Sequence, residues 1–138
     1  MLVVLYDDTG MAAWSPYGGR INMPTMDRLA QNGLTYSQWH TTALCSPTRA
    51  CVLTGRNHHN AGMAGITEIA TGQPGYCSVL PNSMSPLAKT LKLNGYNTAQ
   101  FGKCHEVPVW QSSPVGPFDQ WPTGGGGFEY FYGFIGGE

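Results

Sequence analysis

Charge is what this sequence has least of: Asp, Glu, Lys and Arg make up only 11% of its 138 residues, with a formal net charge of -1 and no run of either sign. That excludes the clustered basic footprint of a nucleic-acid binder and an acidic interaction tail. Long hydrophobic runs are also missing, and nothing approaches the roughly 20 apolar residues of a membrane span. The opening MLVVLYDD has no basic n-region and no small-residue cleavage site, so no signal peptide is visible. Four cysteines, at 45, 51, 77 and 104, allow three disulfide pairings, but without an export signal free thiols and a cytoplasmic location are expected.

What is present is a globular composition, 41% apolar, on a length that suits one small domain with a modest core. Glycine and proline supply 29 of the 138 residues, the habit of a chain rich in turns and loop-built sites. The chain opens on an apolar strand-like run and stops at the aromatic, glycine-rich GFIGGE, so a piece of a larger domain is expected.

Leu2 to Tyr6 reads as a strand buried on both faces, with Asp7 and Asp8 emerging at its carboxyl end. MPTMDRLAQNG reads as a helix from Pro24 to a cap at Gly33, and Leu34 to Trp39 as a second strand. Pro47 to Thr54, with Ser46 as N-cap and Gly55 beyond, reads as another helix. Residues 57 to 84 are irregular. Ser85 and Pro86 then start a helix over LAKTLKLNG, Tyr96 to Phe101 follows as a third strand, and everything beyond Glu106 reads as loop. Helix, short turn and strand, twice over, predict an α/β layer fold with parallel strands and right-handed crossovers. Ligands collect beyond the carboxyl ends of such strands, where Asp7, Asp8 and Lys103 fall.

Several of these residues suggest chemistry. Adjacent carboxylates at Asp7 and Asp8 repel each other unless a cation sits between them, which suits a hard divalent ion; a plain turn capped by Asp8 is the alternative. In LCSPTRACVLTGR, Cys45 precedes a helix start whose N–H groups favour an anion, with Arg49 one turn on to fork onto sulfate or phosphate. A buried thiol beside a structural arginine fits the same letters. A zinc site from Cys45, Cys51, His58 and His59 has the wrong spacing. A cysteine hydrolase needs a histidine base, and His40, His58, His59 and His105 do not distinguish themselves. Lys103 and His105, two apart in an extended segment, put a cation and a proton carrier on one side.

Taken together, CSPTRACVLTGR, DDTG after the first strand, GKCH further on and MPTMDRLAQNGLTYSQWHT between them resemble the N-terminal region of sulfatases, specifically arylsulfatases. The resemblance covers essentially the whole chain. It implies an alkaline-phosphatase-like α/β sandwich with a largely parallel sheet, of which residues 1–138 form the N-terminal part of the catalytic domain. It also implies that Cys45 is oxidised by a formylglycine-generating enzyme to formylglycine, whose hydrate attacks the sulfur of a sulfate ester and then expels sulfate by re-forming the aldehyde. By the same resemblance Asp7, Asp8 and the modified Cys45 bind a divalent cation, generally calcium. Arg49 stabilises the diol, Lys103 bridges it to the sulfate, and His105 assists the elimination.

Cys104 stands where the family usually has tryptophan, and EVP follows where LG is common. The family's second metal-binding pair, its leaving-group acid and a further lysine have no counterpart in the chain, so the isolated 138 residues are expected to be inactive. The alternatives are a phosphonate or phosphate monoester hydrolase of the same superfamily, and a non-catalytic truncated fragment.

Overall fold

Pro24, Gly33 and Gly55 mark helix ends where the sequence predicts them, whereas Pro86 is an N-cap and not a first helical residue, and Asn94, not Gly95, caps the helix that follows it. The computed structural model describes residues 1–137, which separate into a first unit, Met1–Thr41, and a second that begins at Thr42.

In the first unit, α1 spans Pro24–Asn32 and starts on the proline, whose fixed φ suits a first helical turn. Two short 3-10 turns, Met11–Ala13 and Ser15–Tyr17, precede it, and Ser15 Oγ donates to Asp27 Oδ1 on α1 at 2.7 Å. Leu2 to Tyr6 is not a strand: it pairs with no other segment among the described residues, and Val3 and Val4 are 58% and 64% exposed. A strand exists only where a neighbour accepts and donates its ladder hydrogen bonds, and an apolar pattern alone does not provide one. Leu34 to Trp39 departs from expectation for the same reason; its Tyr36 carbonyl accepts from the Tyr17 hydroxyl at 2.6 Å instead.

In the second unit, α2 spans Cys45–Thr54, α3 Leu87–Leu93, β1 Ala99–Cys104 and β2 Tyr130–Ile135. The strands pair in parallel, Ala99 opposite Tyr130 and Cys104 opposite Ile135. The architecture is α/β with a parallel sheet, as the pattern predicts, but β1 lies three residues later than expected, and β2 falls in the stretch read as loop. Its sequence, YFYGFI, carries the aromatics that favour strands. The glycine-rich TGGGG is part of the crossover between β1 and β2. The Gly125 N–H donates to the Asp119 carbonyl at 2.6 Å, and a Cβ at Gly127 would stand 2.6 Å from the Lys89 Cα. Only glycine lets that turn lie against α3.

The core of this unit is small: Ala50 of α2 packs with Ala61 and Met63, flanked by Leu80 and Met84. The segment from 57 to 84 is irregular yet internally bonded. The Met63 and Ser78 N–H groups donate to the carbonyls of His58 and Gly62, both at 2.8 Å. Full burial of a methionine side chain contributes about 1.5–3 kcal/mol, so Met63 anchors the loop against α2.

Candidate functional site

Helix α2 begins at Cys45, with Leu44 as N-cap, which corrects the expected start at Pro47. Ser46 is not the cap. Thr42 and Thr48 staple this turn: their hydroxyls share a 2.6 Å hydrogen bond, and the Thr48 hydroxyl also donates to the Thr42 carbonyl at 3.2 Å. Ser46, displaced inward, is fully buried, and its hydroxyl finds no hydrogen-bond partner among the described residues. At the other end Gly55 takes a left-handed φ of 63° and donates its N–H to the Cys51 carbonyl, closing the helix.

Strand β1 carries Lys103 to this helix start. Lys103 Nζ donates to Cys45 Sγ at 3.4 Å, and Arg49 Nη1 donates to the Lys103 carbonyl at 3.0 Å. Arg49 is 8% exposed, so its guanidinium is desolvated and ties the first turn of α2 to β1 through the backbone. Cys45, Arg49 and Lys103, separated by up to 58 positions in the sequence, are thus brought together in one unit.

His105, just past β1, takes a different direction. It is 3% exposed, and its Nε2 lies 2.8 and 2.7 Å from the two carboxylate oxygens of Glu68. Its Nδ1 is buried without a partner among the described residues. Desolvation pulls the Glu68 carboxyl up. The hydrogen bond with His105, the local backbone bond, the imidazole charge and the Thr67 hydroxyl outweigh it and hold the group below its ordinary value.

Cys104 and Glu106 flank this imidazole in sequence. The Cys104 thiol donates to Glu106 Oε2 at 3.1 Å; desolvation, the Glu106 charge and that bond push it far above its ordinary range, so it stays protonated. Glu106 is intermediate in exposure as a whole, but its carboxyl faces inward. Desolvation raises it, while the Cys104 bond and the Arg49 and His105 charges pull it partly back.

Asp7 and Asp8 belong to the first unit. Both are exposed, at a tight turn where Asp8 has a φ of 48° and the Thr9 hydroxyl donates to the Asp7 carbonyl at 2.8 Å. The zinc alternative fails: Cys45, Cys51, His58 and His59 do not converge as a ligand set among the described residues. The His58 and His59 rings lie against each other at a tilt of 46° with centroids 4.4 Å apart, and His59 meets Tyr76 edge-on at 5.6 Å. The four cysteines are free thiols. No helix among the described residues is long and apolar enough to cross a membrane.

Sequence reasoning missed Glu68. It is one of eight acidic residues, in an irregular segment without period or spacing. The only available signal was generic, that a working histidine is often held by a carboxylate.

Comparison with known proteins agrees with the motif reading. The chain is 32% identical to an arylsulfatase of Klebsiella aerogenes, an alignment covering 99% of this chain and 28% of the relative. It is 36% identical to the human steryl-sulfatase (Homo sapiens), over 96% of this chain and 23% of the relative. An N-acetylglucosamine-6-O-sulfatase of Bacteroides thetaiotaomicron is 36% identical over 88% of this chain and 19% of its own length. The chain therefore spans between about a fifth and somewhat over a quarter of these relatives. The family profile described as Sulfatase matches residues 1–138 from end to end, and the chain belongs to the sulfatase family.

Proposed function

We propose that this chain carries the nucleophile-bearing part of a sulfate ester hydrolase of the arylsulfatase type. The observation that carries the reading is the Lys103 ammonium on Cys45 Sγ at the first residue of α2, with Arg49 one turn on. A helix start with two cations is a setting for a tetrahedral oxyanion, and the relatives are named for sulfate esters.

In this reading Cys45 is the substrate of a formylglycine-generating enzyme. The resulting formylglycine supplies, when hydrated, one hydroxyl that is nucleophilic toward sulfur and a second that lets sulfate depart. Lys103 orients the group at position 45 and neutralises sulfate charge. Arg49, bonded to the β1 backbone, holds that lysine's carbonyl and adds fixed positive charge. His105 moves a proton at its ring nitrogen.

By the family resemblance a hard divalent cation such as calcium would be held by Asp7, Asp8 and residue 45. The two carboxylates are hard oxygen ligands, whereas a Cys45 thiol is soft and mismatched. Conversion to formylglycine replaces that sulfur by oxygen and makes the three donors alike. The bound cation would polarise a sulfate oxygen.

The test is turnover of an aryl sulfate by the full-length protein co-expressed with the converting enzyme, with peptide mass spectrometry over residues 44–49. Formylglycine at 45 and turnover that chelator abolishes and calcium restores are expected. An unaltered thiol in an active enzyme, or a preference for aryl phosphonate over aryl sulfate, would overturn the reading.

A further inference from the structure

His105 sits between two acids, and only one of them binds its ring. Glu68 approaches Nε2 with both carboxylate oxygens, at 2.8 and 2.7 Å, whereas Glu106 acts on the imidazole through its charge, with its own carboxyl engaged by the Cys104 thiol. Arg49 acts by charge on Cys104 and Glu106, completing the charged surroundings that β1 and α2 contribute here. The carboxylate of Glu68 is acceptor-only, so Nε2 must carry the hydrogen. That places the lone pair of neutral His105 on Nδ1, which is buried and has no partner among the described residues. The ring is also fixed in place: a Cβ at Gly137 would lie 2.8 Å from Cε1, so backbone covers that edge.

Resting on the sulfatase reading above, we propose that Glu68 is the positioning residue of His105, locking the Nε2–H tautomer so that Nδ1 is the nitrogen that exchanges a proton during turnover. The logic is that of a carboxylate orienting an imidazole in acid–base catalysis, with the two ring nitrogens in exchanged roles. Glu68 remains ionised throughout. When Nδ1 takes up a proton the imidazolium is balanced by the carboxylate on Nε2, and the proton returns from Nδ1 as the cycle closes. Within the 3-10 turn Thr67–Ile69, Thr67 is buried and its hydroxyl donates to Glu68 Oε2 at 3.3 Å.

Glu68→Ala, Glu68→Gln and Glu68→Asp in the full-length protein test this, each with formylglycine content and melting temperature measured first. Because the Glu68 side chain is 43% exposed, all three are expected to fold. In Glu68→Ala we expect kcat on aryl sulfate to fall about 100-fold, within the usual range for acid–base assistance, with KM held within about twofold. Glu68→Asp is expected to recover part of kcat, and Glu68→Gln, which keeps an acceptor but no charge, to lie between. Nitrogen-15 NMR of the histidine ring should show one Nε2–H tautomer in wild type and a mixture in Glu68→Ala. Retention of the single tautomer without Glu68, or an unchanged kcat in Glu68→Ala, would overturn the proposal. If wild type proves inactive toward aryl sulfate, the sulfatase reading fails, while the tautomer measurement still decides whether Glu68 sets His105.

Discussion

Around the end of β1 two polar clusters lie close in sequence and differ in what they are made of. The first joins Cys45, Arg49 and Lys103, and its hydrogen bonds run from cations to a thiol and to a backbone carbonyl. The second joins Glu68, His105, Glu106 and Cys104, and its hydrogen bonds end on carboxylates. Lys103 and His105 are two positions apart, the spacing that puts side chains on one side of a strand, yet they serve different clusters. His105 lies past the last residue of β1, where the strand alternation no longer governs direction. The difference is one of chemistry on a shared piece of backbone: cations gather at one cluster and carboxylates at the other, which in the proposed reading separates anion binding from proton transfer.

The comparison is broken most severely by removing the centre of the first cluster. On the proposed sulfatase reading, Cys45→Ala in the full-length protein is expected to cut kcat by at least about 10⁴-fold with the melting temperature nearly unchanged, read by initial rates on aryl sulfate. Lys103→Ala should cost roughly 10²–10³-fold in kcat/KM, about 3–4 kcal/mol, the scale of one lost electrostatic contact to an oxyanion. Since Lys103 binds through its ammonium, Lys103→Arg should recover little.

Met63→Ala sharpens the comparison from below, because Met63 belongs to neither cluster but supports the loop that carries Glu68. It should destabilise by about 2–5 kcal/mol in denaturant titration through the cavity it leaves. The smallest effect is expected at Glu106. A carboxyl raised on folding favours the native state while protonated in both states and loses that contribution as pH rises through its folded value. Glu106→Gln should therefore melt like wild type near about pH 4 and increasingly above it toward about pH 7. A Tm difference that shrinks over that range would show the sign to be wrong.

Much of the helical framework was legible because its signals are local. Pro24 starts α1, Gly55 ends α2, and Pro86 precedes α3. Even there the cap of α2 was misassigned, since Ser46 has good capping chemistry but Thr42 and Thr48 hold the turn from either side of it. Strands were read less well. Leu2 to Tyr6 has the better apolar run and stays unpaired, whereas YFYGFI, dismissed with its glycine-rich surroundings, pairs with β1 along its whole length. Gly102 and Gly133 face each other in that register, and a Cβ on Gly133 would collide with the Gly102 carbonyl, so glycine here permits the pairing.

The sequence by itself determined the sulfatase motif, the start of α2 to within two residues, and Cys45 and Arg49 on one helical turn, since these depend on neighbours along the chain. The fold alone decided which strands formed, that Lys103 reaches Cys45, and which of eight acids binds His105. Those are contacts across 58 and 37 positions, chosen by how β1, α2 and the irregular loop pack, and no local periodicity encodes them.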